Sequence, residues 1–132
     1  MTRPTKTEYY LDIAEAVAKR STCLRRQYGA VIVKNDRIIS TGYNGAAKHR
    51  TNCCDVGECE RARLGIPHGE RYEKCVAVHA EANVIIQASA DELEGSTLYL
   101  VGIQDGVRME HAEPCEMCWR LIRNAGINWV RR

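Results

Sequence analysis

Seven cysteines lie in 132 residues, and most of them are grouped. Cys53, Cys54 and Cys59 share one stretch, Cys75 follows, and Cys115 and Cys118 stand three apart; Cys23 lies upstream. Cysteine at that density points to a disulfide framework, a metal site or thiol chemistry. Met1-Thr2-Arg3-Pro4 has no apolar secretory core, so a cytoplasmic setting is expected, where grouped cysteines bind metal or react. No apolar run approaches the roughly 20 residues that cross a bilayer. The net charge of +2 gives no general pull toward nucleic acid or an anionic membrane, while a small anionic substrate stays open.

The length fits one domain over residues 1–132. Thr5 and Glu8 form a capping box before a helix from about Thr7 to Lys19. Ala30–Val33 and Arg37–Thr41 read as a β-hairpin, and Gly42-Tyr43-Asn44-Gly45 reads as a turn that breaks its second strand. From about 46 to 76 the periodicity fades and four cysteines gather, so this Cys-rich insertion needs something other than a hydrophobic core to pin it. His79–Ala90 is helical and largely apolar, and Thr97–Ile103 is a strand. After a short loop, Pro114 starts a helix with Cys118, Leu121, Ile122 and Ala125 on one face; Gly126 ends it. Ile127–Val130 make a last strand, parallel to the one before it. The order α-β-β-α-β-α-β predicts an α/β sandwich around a mixed sheet.

Two short motifs carry chemistry. His79-Ala80-Glu81 and Pro114-Cys115-Glu116-Met117-Cys118 each open a helix. Cys115 and Cys118 share a helical face, at an end of the helix that favours thiolate. Two thiolates and one imidazole are three ligands for a tetrahedral Zn²⁺, which leaves the fourth position to water, as in a catalytic site. Glu81, two residues past His79, is expected beside that water as the group that moves protons. His111-Ala112-Glu113 repeats the triplet but sits outside an apolar helical run, so His111 is expected as a loop residue near the pocket mouth. Arg25 and Arg26, just before the first strand, are candidates for meeting a phosphate.

H-x-E with P-C-x-x-C is the signature of zinc nucleobase deaminases. Further runs narrow the likeness: Arg20-Ser21-Thr22-Cys23, Gly29-Ala30-Val31-Ile32-Val33, Gly42-Tyr43-Asn44-Gly45, Leu64-Gly65-Ile66-Pro67 and Asn124-Ala125-Gly126-Ile127. With these the chain resembles the deoxycytidylate (dCMP) deaminases of the cytidine deaminase superfamily. The resemblance implies a three-layer α/β/α sandwich, a catalytic zinc on His79, Cys115 and Cys118, and hydrolysis of dCMP to dUMP and ammonia with Glu81 as the catalytic acid/base. It also implies substrate contacts from Asn44 and from the Ala80 backbone. A second, structural zinc on Cys23, Cys53, Cys59 and Cys75 is implied, with Cys54, His49 or His68 as alternative ligands. Homo-oligomers, from dimer to hexamer, and control by dCTP and dTTP go with the family. Tyr28, where relatives commonly have a small aliphatic residue, and the long Gly102–Glu113 link depart from its pattern.

Other readings stay open. Glu113-Pro114-Cys115-Glu116-Met117-Cys118 also looks like the tRNA adenosine deaminase motif, but no basic cluster offers an RNA surface, and no nucleic acid partner is expected. That enzyme is the closest rival, and another cytosine nucleoside or nucleotide deaminase is a further alternative. A non-catalytic zinc-stabilised binding module would make Glu81 dispensable.

Overall fold

The structure is a computed structural model that describes residues 2–67, 75 and 77–130. Helix α1 (Lys6–Ala18) begins with the expected reciprocal capping box between Thr5 and Glu8. It buries Tyr10, Leu11, Ala14 and Ala18, a stripe at three- and four-residue spacing. Strands β1 (Gln27–Lys34) and β2 (Arg37–Tyr43) form the hairpin. Asn35 and Asp36 turn it with φ of 53° and 60°, the doubly left-handed geometry that suits strand twist.

Strand β1 is covered on both faces, and its alternation sorts two cores. Val31 and Val33 point to α1, with Tyr10, Leu11 and Ala14. Ala30 and Ile32 point the other way, into a cluster with Ala80, Val84, Leu98 and Ile122. A period of two sends neighbours to opposite faces, so one strand serves both layers. The main sheet runs β2-β1-β5-β6, with β5 (Thr97–Gln104) antiparallel to β1. Strand β7 (Asn128–Trp129) lies parallel to β5. Helices α4 (Ala80–Ile86) and α6 (Glu116–Asn124) cover the face opposite α1. This is the three-layer α/β/α sandwich with a mixed sheet.

Four local expectations need correction. Gly42 and Tyr43 do not break β2; they extend it, and β3 (Gly45–Ala46) follows and pairs with β4 (Ala77–Val78). Gly42 is there for packing: a Cβ on it would lie 2.6 Å from the Val84 nitrogen. The helix over 79–90 is two helices, because Ser89 forms a capping box with Glu92 and starts α5 (Ala90–Leu93); Ile86, at the end of α4, is exposed. The loop after β5 makes a strand, β6 (Val107–Arg108), turned by Asp105 and Gly106 at φ 54° and 77°. Pro114 precedes α6, whose N-cap is Cys115, and Leu121 on that helix is exposed.

The insertion carries two single-turn helices, α2 (Cys53–Val56) and α3 (Glu60–Arg63). Among the described residues, no helix is long and apolar enough to cross a membrane.

Candidate active site

Two helix starts meet at one point. His79 caps α4 and Cys115 caps α6, both on extended backbone. Cys115 Sγ accepts the Cys118 N–H at 3.5 Å, as a serine oxygen would at this position. Cys118, almost one turn further on, therefore faces the same way. His79 Nδ1 lies 3.5 Å from Cys115 Sγ and 3.3 Å from Cys118 Sγ. All three donor atoms fall within 4.8 Å of one another. Tetrahedral zinc, with bonds of about 2.3 Å to sulfur and about 2.0 Å to nitrogen, sets sulfur and nitrogen about 3.6 Å apart. The trio fits such an ion with one coordination place left for a non-protein ligand. Among the described residues, no other group of three or more ligand-type side chains is as tightly gathered.

The electrostatics of this corner call for a cation. Glu81 is 5% exposed. Burial raises its carboxyl pKa, while its own N–H, the His79 charge and a hydrogen bond with Cys118 pull the other way. Burial also pushes the Cys118 thiol far up, and the Glu81 and Cys115 charges add to that. A carboxyl and two thiols crowded out of water resist ionising together. A dication among them reverses that penalty, which is the usual chemistry of thiolate sites.

The rest of the sheet holds α4 in register. Ser40 Oγ donates to the Val84 carbonyl at 2.7 Å, and Asn83 Nδ2 donates to the Tyr43 carbonyl at 2.8 Å. Asn83 was not singled out by the sequence reading; a polar side chain inside an apolar helical run is the signal that marks it.

These groups open on a cavity of about 500 Å³, within the range of small-molecule sites. Ala80, Asn44 and Arg26 line it together with His79, Glu81 and Cys115. Asn44 is buried, and its side chain is engaged with the backbone. Its Oδ1 accepts the Tyr28 N–H at 2.8 Å, and its Nδ2 donates to the Arg26 carbonyl at 3.0 Å. It therefore braces the cavity edge where β1 begins. Arg61, Gln104, Asp105 and Glu113 also reach the cavity, and the sequence reading had placed none of them there. His111 is not at its mouth. It lines a separate hollow of about 100 Å³ beside Leu100 and Trp129, because β6 carries the following loop along the edge of β5.

The insertion cysteines come together more loosely. Burial raises the Cys53 thiol pKa, and charges on Cys23, Cys59 and Cys75 add to the rise, so these four are electrostatic neighbours. Cys23, Cys59 and Cys75 also wall the same cavity. Their donors are not gathered within the 4.8 Å that unites the His79 trio. Cys54 and His49 are exposed, and His68 lies outside the described residues.

The family profile described as "Cytidine and deoxycytidylate deaminase zinc-binding region" matches residues 4–131. The deoxycytidylate deaminase of Mycobacterium phage D29 is 41% identical over 135 residues, which cover 98% of this chain and 95% of that protein. The deoxycytidylate deaminase of Saccharomyces cerevisiae is 33% identical, and the match covers 95% of this chain but only 44% of the yeast protein. The crystal structure of dCMP deaminase from cyanophage S-TIM5 in complex with dCMP and dUMP superposes with a TM-score of 0.69 at 28% identity, covering 98% of this chain and 86% of that one.

Proposed function

The chain belongs to the cytidine and deoxycytidylate deaminase family, and from that premise we infer that it hydrolyses dCMP to dUMP and ammonia. The observation that carries this reading is the meeting of His79, Cys115 and Cys118 beside a buried Glu81 at the floor of a nucleotide-sized cavity. The S-TIM5 neighbour, solved with dCMP and dUMP, supports the choice of substrate.

His79, Cys115 and Cys118 hold the zinc ion, which when bound supplies a water acidic enough to lose a proton near neutral pH. Glu81 accepts a proton from the attacking water and delivers it to ring N3, then takes the proton of the new C4 hydroxyl and delivers it to the departing amine. Water adds at C4, the C4–N4 bond breaks, and the products are dUMP and ammonia. Burial keeps bulk water from competing with Glu81 for those protons. The Ala80 backbone meets the base. Asn44, which lines the cavity, contacts the sugar, and Arg26 sets a cation at the rim.

Cys23, Cys53, Cys59 and Cys75 hold a second zinc that ties the insertion to the rest of a single catalytic domain. Their mutual proximity supports this ligand set. Ammonia release is to be measured for dCMP, CMP, dCTP, cytidine and an RNA hairpin, with zinc counted in the same samples. dCMP gives the highest kcat/KM, and two zinc ions are found per chain. Turnover of cytidine or the hairpin in preference to dCMP overturns the substrate assignment, and one zinc per chain removes the second site.

The protein works in the cytoplasm, in keeping with seven free thiols. It assembles with copies of itself, and dCTP and dTTP modulate it. Exposed Ile86, Met117 and Leu121 on α4 and α6 favour association. Sedimentation velocity with and without dCTP is expected to show a homo-oligomer; a monomer at micromolar concentration in both samples contradicts it.

A further inference from the structure

Helix α4 carries Glu81 and starts at His79, yet it is only seven residues long. A helix that short has little stability of its own, so its aim depends on what holds it to the sheet. At the site end one polar side chain does much of this. Asn83 Nδ2 donates to the Tyr43 carbonyl at 2.8 Å and makes a longer bond to the Val78 carbonyl at 3.4 Å. A side-chain amide nitrogen has two N–H groups, one for each carbonyl.

The two carbonyls belong to peptides that lead into the site. The Val78 carbonyl is in the peptide before His79, and the Asn83 backbone N–H donates to the His79 carbonyl, in the peptide after it, at 3.0 Å. One residue thus grips the peptides on both sides of a metal ligand. The Tyr43 carbonyl is in the peptide before Asn44, and the N–H of that same peptide donates to the Tyr28 carbonyl at 3.3 Å. The peptide is therefore held at both ends. Asn83 is not among the described residues that line the cavity, so it acts through His79, Glu81 and Asn44.

We propose that Asn83 is a positioning residue of the deaminase, which sets the His79 and Glu81 end of α4 against the Asn44 edge of the cavity. This rests on the deaminase reading above. Without the Asn83 amide, the groups that bind the nucleotide remain, but the proton carrier no longer stands at its working distance from the base. A misplacement of this kind lowers kcat and leaves KM nearly unchanged.

The test compares wild type, N83A and N83L with S40A. Ser40 donates to the Val84 carbonyl at 2.7 Å, so S40A also removes a bond between α4 and β2 but leaves the peptides around His79 and Asn44 held. The readouts are kcat and KM on dCMP at a temperature where all four proteins are folded, Tm, metal content, and the absorption spectrum of cobalt-substituted protein. Both Asn83 variants are expected to lose about 10- to 100-fold in kcat, with KM within about 3-fold of wild type. S40A is expected to melt lower but to keep kcat within about 3-fold. The cobalt bands are expected to shift in N83A and N83L, because His79 is re-aimed, and to stay in place in S40A. If both Asn83 variants match S40A in kcat, the residue only stabilises the helix; the proposal is overturned and the deaminase reading stands. A rise in KM at wild-type kcat, or cobalt bands identical to wild type in both Asn83 variants, overturns it too. A wild type inactive on dCMP overturns the parent reading instead, and the cobalt spectra still decide whether Asn83 aims His79.

Discussion

Glu81→Gln is expected to lower dCMP turnover by about 10³-fold, within the range that a positioned general acid/base contributes. The fold and the zinc content should stay at wild-type levels. Gln matches Glu in size, and the protonated carboxyl that burial favours is as neutral as an amide. The substitution leaves the three ligands in place and removes the proton carrier alone. A second readout follows from the raised pKa. In the metal-free protein the folded state holds the Glu81 proton to higher pH than the unfolded chain does. Stability therefore falls as pH rises from the ordinary carboxylate value of about 4.3 toward the raised one, and stays reduced above it. Metal-free E81Q lacks that decline and should be the more stable of the two near neutral pH. Stopped turnover assays together with thermal melts of apo protein across pH decide the matter. An E81Q enzyme with wild-type kcat would mean that another group moves the protons.

Gly42→Ala is expected to cost both stability and activity, and Gly29→Ala stability alone. A Cβ at Gly42 would stand 2.6 Å from the Val84 nitrogen and 2.9 Å from the Ala80 carbonyl oxygen. These are backbone atoms of α4, so relief requires the helix itself to move. Ala80 lies between His79 and Glu81, and a displacement near 1 Å can cost about 10²-fold in rate. A Cβ at Gly29 would collide with the Ala14 carbonyl oxygen and the Ala18 nitrogen, in α1 on the opposite face of the sheet. Overpacking of this kind typically costs about 1–3 kcal/mol. Each variant should melt several degrees lower. At a temperature where both stay folded, G42A should show a kcat at least about 10-fold below G29A. Equal kcat values in the two variants would show that α4 does not set the geometry at Glu81.

Much of the site was legible because its chemistry is local. His79 and Glu81 sit on one helix start, and Cys115 and Cys118 sit on another, so spacing alone put each pair together. The α1 capping box and the β1–β2 hairpin were equally plain, since both are contacts between near neighbours. Gly42 was misread for a physical reason. Glycine marks a turn and also a close approach of backbone, and only the partner element tells which. Ser89 split one apolar run into two helices, through a cap weaker than the apolar pattern around it. Nothing local separates Arg61 from Arg63, two residues away in the same short helix.

The sequence by itself determined the main layer-forming helices and strands and the two helix starts that bring His79, Cys115 and Cys118 within reach of one metal ion, because short-range spacing and residue chemistry suffice for those. The tertiary structure decided what shares the cavity. It brought Arg61, Cys59 and Cys75 to the cavity that Glu81 lines, and it sent His111 to a separate hollow. Those placements depend on how α4, α6 and the insertion pack around one sheet, and contacts between residues distant in the chain leave no periodic trace in it.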